Sequence, residues 1–121
     1  MLSYKLFGAG IQGLAVTAIG KDVATGISAS GSTQGTATVL TCASNQVTNV
    51  AGGSGVILDP NASFGDSQLV YNGVSNPLKV YPPVGASING LTTNSPVILP
   101  INTACEFHCF STTSWTAILS R

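Results

Sequence analysis

The chain has 121 residues and a mass of 12.2 kDa, the size of one domain built on one hydrophobic core. Charged residues make up 7% of it, four basic and four acidic, against roughly 25% in an ordinary soluble domain. That scarcity excludes a basic stripe for nucleic acid and a polybasic patch for membranes, and it leaves a lone monomer about 6,000 Å² of surface with about one charge per 750 Å². Such a surface is poorly soluble unless partners cover much of it.

Residues 1–25 read as an N-terminal arm or a first strand, and 26–121 as a single β domain. Between Lys5 and Lys21 runs LFGAGIQGLAVTAIG, 15 uncharged residues. A bilayer span needs roughly 20, and four glycines interrupt this run, so it is no membrane anchor; as a signal peptide its n-region is weak. GAGIQG has the letters of a dinucleotide fingerprint but lacks the preceding strand, the following helix and the second βαβ element that the motif requires. Leu2, Tyr4, Leu6, Phe7 and Ile11 alternate with small or polar residues, and glycines at 8, 10 and 13 allow close approach to another surface. These five side chains are the expected contacts of a docking arm, on a shell or on a neighbouring assembly.

No helical periodicity follows. Short β-rich runs cut by turn residues predict strands at 36–42 (TATVLTC), 46–51 (QVTNVA), 56–58, 67–72 (SQLVYN), 78–81 (LKVY), 86–89, 96–99, 105–110 and 114–119. The expected fold is all-β, a small antiparallel β-sandwich or barrel with an extended N-terminal arm. Asn72-Gly73 and Asn89-Gly90 tolerate positive φ and mark chain reversals. Pro82 and Pro83 lack ladder donors, so YPP ends a strand or lies on an edge. No internal repeat is evident.

Candidate chemistry is thin. In CEFHCF an extended backbone puts Cys105, Phe107 and Cys109 on one face and Glu106, His108 and Phe110 on the other. Cys105 and Cys109 then stand about 13 Å apart, too far for a disulfide, and His108 points away from both. Three cysteines, with Cys42, read as buried structural thiols rather than a metal site. Asp59 and Asp66 flank PNASFG, where a carboxylate beside Pro, Asn and Gly is ordinary turn chemistry rather than a glycosidase pair. His108 is the sole imidazole, and no serine sits in a nucleophile elbow. No enzyme, metal or cofactor is expected. Tyr71, Tyr81 and Trp115 are the candidates for a glycan-stacking platform, with core packing as the competing role.

The succession SASGSTQGTATVLT (28–41), NQVTNVAGGSGVIL (45–58), LVYNGVSNPLKVYPPVGASINGL (69–91) and STTSWTAI (111–118) resembles a β-rich module of tailed-phage virion proteins. The module is similar to small capsid decoration, or cement, proteins and to some head-fibre and tail-associated proteins. KVYPPVGASINGL followed by S-x-T-x-W is its most specific part, and CEFHCF departs from it. The resemblance implies an all-β subunit that trimerises and binds the major capsid protein on the outside of an icosahedral shell, assembled in the host cytoplasm. The alternative it leaves is a module of a tail fibre, baseplate or head fibre that binds host glycan.

Overall fold

The computed structural model describes residues 22–73 and 76–119. Among the described residues ten strands form two sheets. Elements β1 (Val23–Ser28), β3 (Ser44–Asn49), β5 (Ser67–Asn72), β9 (Thr103–Ser111), β10 (Ser114–Leu119) and β7 (Ser87–Ile88) make a six-stranded sheet in that spatial order. The second sheet has four strands in the order β2 (Thr38–Val39), β4 (Gly55–Ile57), β6 (Leu78–Tyr81) and β8 (Val97–Leu99). The fold is thus all-β, and nearly every strand predicted from sequence is present.

Strand direction differs from the antiparallel expectation. From β1 to β6 the chain passes from one sheet to the other at every step, so β1, β3 and β5 stack in parallel and so do β2, β4 and β6. The antiparallel pairs come later, where β9 runs back along β5, β10 along β9 and β8 along β6. A chain that winds between two sheets returns in the same direction each time, whereas a hairpin reverses it. Composition and alternation look alike in both cases. The winding is also a structural repeat that the sequence does not display.

Strand β1 straddles the expected boundary at residue 25, pairing Val23 with Ser44 and Ala24 with Asn45. Residues 1–21, with Leu2, Tyr4, Leu6, Phe7 and Ile11, lie outside the described residues.

The core lies between the sheets. In β9, Cys105, Phe107 and Cys109 point inward and are almost fully buried, as the alternation of CEFHCF required. They meet Trp115, Val70, Val47 and Ile88 of the same sheet and Val56, Val80, Leu78 and Leu99 of the other. Each large aliphatic or aromatic side chain buried this way contributes roughly 1.5–3 kcal/mol. Strand β4 is buried on both sides because the segment carrying a short 3-10 helix, Gln34–Thr36, folds over its outer face. Tyr81 donates its hydroxyl to the Ser32 carbonyl (3.2 Å), and the Gln34 amide donates to Pro82 O (2.8 Å). A Cβ on Gly55 would come within 2.8 Å of the Lys79 carbonyl, so this strand contact requires glycine.

The turns divide. Asn89 (φ 53°) and Gly90 (φ 73°) form the expected tight reversal, closed by Leu91 N–H donating to Ile88 O at 2.9 Å. Asn72 instead keeps ordinary strand geometry at the end of β5, fully buried, with its amide used elsewhere. Pro82 follows the last residue of β6, so YPP ends a strand inside the sheet.

Buried amides secure the crossings between the sheets. Gln68 donates to Leu40 O (3.1 Å) and Cys42 O (3.0 Å) and accepts from Asp59 N–H (2.8 Å). Asn72 donates to Asn76 O (2.9 Å) and Leu99 O (3.1 Å), and Asn45 to Cys42 O (2.8 Å) and Leu69 O (3.1 Å). Replacing Gln68 with Leu strands three backbone groups and should destabilise the fold by about 3 kcal/mol. Thermal unfolding should register a loss of roughly 10 °C, while Gln46→Leu, on the exposed side of β3, should stay within about 0.5 kcal/mol of wild type.

Candidate interaction surface

The outer face of the six-stranded sheet carries an apolar row. Strand register aligns Val23, Ser44, Leu69, Glu106 and Ile118 across five strands. Val23, Leu69 and Ile118 are 56%, 40% and 58% exposed, too much for core residues and in line with one another. Beside them lie Gln46, Tyr71 and Ala104 in one neighbouring row, and Ser67, His108 and Thr116 in the other. The ionisable groups of the three rows are Glu106 and His108, 3.7 Å apart, with Tyr71. An exposed pair of this kind adds little stability. Phe110 (64% exposed) continues the outward series of β9, and the Gly65 N–H to Cys109 O bond brings Phe64 (69% exposed) to the same end of the sheet. A broad face of this composition is suited to contact with another protein.

Sequence reasoning missed this row because β5 inverts the usual pattern. In SQLVYN the inward side chains are Gln68, Val70 and Asn72, and the outward ones Ser67, Leu69 and Tyr71. Hydropathy cannot assign the polar members of that series to the interior. The available signal was that both faces of SQLVYN and SWTAIL carry apolar residues.

The expected stacking platform does not assemble. Trp115 is 2% and Tyr81 6% exposed, the first in the main core and the second beneath the Ser30–Ala37 segment with Ile57. Only Tyr71 of the three is half-exposed, beside Leu69 and Val23.

Asp59 and Asp66 do meet, together with Asp22, around a hollow of ≈ 240 Å³ beside Cys42 and Gln68. Asp59 and Asp66 each serve their own turn, and Asp22 bonds across to the segment before β3. Asp22 accepts from Ala43 N–H (3.0 Å), Asp59 from Asn61 N–H (2.9 Å) and Asp66 from Ser63 N–H (2.8 Å). This is turn chemistry, as expected. Among the described residues no three His, Cys, Asp or Glu side chains converge as a metal site, and no helix is long and apolar enough to cross a membrane. The chain matches no model of a known protein family, and no curated protein matches it in sequence.

The three thiols are free, and Cys105 and Cys109 are buried. Burial pushes the Cys105 thiol up to about 11 from an ordinary 9.0. Burial, then the Asp66 charge, raises Cys109, while the hydrogen bond to Asp22 is the main cause of the rise at Cys42. Because the folded Cys105 thiol ionises later than the unfolded one, its contribution is complete below pH 9 and is lost as pH rises toward 11. Melting temperature should therefore fall across that window, and Cys105→Ala should fall less steeply over the same pH series.

Proposed function

We propose that the protein is a structural subunit of a tailed-phage particle, a homotrimeric capsid decoration protein that binds the outside of the head and stabilises it. The observation that carries this reading is the outer face of the six-stranded sheet, where Val23, Leu69 and Ile118 stand exposed in register. Burying that face between copies removes apolar surface from water and takes few charges with it, since the acidic and basic side chains of its three rows are Glu106 and His108, 3.7 Å apart and able to pair. Cyclic symmetry repeats the gain three times. The low charge of the whole chain then fits a protein that works covered on several sides.

The resemblance of residues 26–121 to virion modules supplies the partner: the major capsid protein, with neighbouring trimers beside it. Three linked weak contacts on one trimer act at high effective concentration, so shell binding needs no single strong site. The glycan-binding alternative is less well supported, because Trp115 and Tyr81 are buried and cannot offer a ring face.

Native mass spectrometry at micromolar concentration should show three times the 12.2 kDa chain mass. Leu69→Asp combined with Ile118→Asp should shift the protein to monomer with its β-sheet circular dichroism intact, since both positions are exposed. Cryo-EM of the particle that carries the protein should place it in hundreds of copies on the head. A wild-type monomer, or a few copies confined to the tail, would refute the reading.

A further inference from the structure

Three adjoining hollows that share lining residues form a broken groove leading away from the point where the described chain begins. Its first hollow is the acidic one bordered by Asp22, Asp59 and Asp66. Asp59 and Ala62 also border a second, smaller hollow over Trp115, and that hollow shares Pro60, Pro83 and Thr112 with a third of ≈ 470 Å³. The third hollow has no charged residue in its lining. Its walls include Ala37, Val39, Ile57 and Val84, of which Val39 is 52% and Val84 75% exposed. The groove thus passes from three carboxylates to none.

The chain that enters at Asp22 has the matching order. Reading backwards from Asp22, Lys21 comes first, then the uncharged run from Gly20 to Leu6, then Lys5. Three of the protein's four side-chain carboxylates border the hollow at Asp22, the residue that follows Lys21 in sequence, and the uncharged hollow lies farther along. Twenty-one residues reach up to about 70 Å when extended, against roughly 35 Å across a compact domain of this size. Length therefore does not limit the path. The glycines at 8, 10, 13 and 20 permit close approach to the prolines lining the groove.

We propose that residues 1–21 dock along this groove of their own domain, with Lys21 at the acidic mouth and the run from Leu6 to Gly20 over the apolar hollow. The occupant is this chain's own segment rather than a foreign surface, because the groove opens at the residue that tethers it and follows its charge order. Sequence alone pointed to docking elsewhere; the groove offers a nearer surface. This inference concerns the single chain and does not rest on shell binding or trimer formation.

Two measurements on the full chain test it. In hydrogen exchange, Val39→Asp with Val84→Asp should speed exchange of amides 6–20 by about tenfold or more, leaving β3, β5 and β9 unchanged. Equal exchange of that segment in variant and wild type would overturn the proposal. In the second, benzoylphenylalanine replaces Phe7 and is photolysed. A cross-link within one chain, to a peptide containing Val39 or Val84, is the expected product. Links only to the outer face of the six-stranded sheet, or only in products of twice the chain mass, would overturn it, the latter assigning the groove to a neighbouring copy's segment.

Discussion

The fold depends on finding partners for backbone carbonyls at the places where the chain leaves one sheet for the other. A strand's own ladder satisfies its peptide groups, but a crossing segment has no ladder and lies partly out of reach of water. Here the partners are side-chain amides. Gln68 holds the Leu40 and Cys42 carbonyls, Asn45 also holds Cys42, Asn72 holds Leu99, and Asn76 reaches back to Val50 O at 2.8 Å. A primary amide offers two donors and an acceptor on a short stem, so one residue can secure several peptide groups. Removing one strands several at once, which concentrates the fold's specificity in a few polar residues among aliphatic neighbours.

That arrangement has a consequence for the surface. Amides occupy inward positions of β3 and β5, and the outward positions of β5 are left to Leu69 and Tyr71. The six-stranded sheet therefore turns an apolar row to the outside without losing a closed core, since Trp115, Phe107 and the valines fill the interior. The four-stranded sheet is different: its outer face is partly roofed by the Ser30–Ala37 segment through Tyr81 and Gln34. Among the described residues, one sheet is partly roofed by its own chain and the other has no such roof. This asymmetry is what the proposed contact face rests on.

The carboxylates show how local bonding limits chemistry. Three of them border one hollow, which in outline resembles a cation or catalytic site. Each one, however, caps a loop by accepting a backbone N–H, and those bonds fix Asp59 and Asp66 as parts of turns. What remains available to the hollow is negative potential, suited to an ammonium group passing over it.

The sequence by itself determined the class of fold, the position of nearly every strand and the facing of CEFHCF, because β-branched runs, turn residues and a two-residue period are local properties. The termination of β6 at Tyr81 and the reversal at Asn89-Gly90 were legible for the same reason: proline and positive φ act within a few residues. Only the tertiary structure decided strand direction, the inward placement of Gln68 and Asn72, the recruitment of Val23–Ser28 as an edge strand, and the alignment of Val23, Leu69 and Ile118. Each of these depends on which strands become neighbours across long stretches of chain, and a polar side chain faces inward when a distant carbonyl needs it, which no local pattern records.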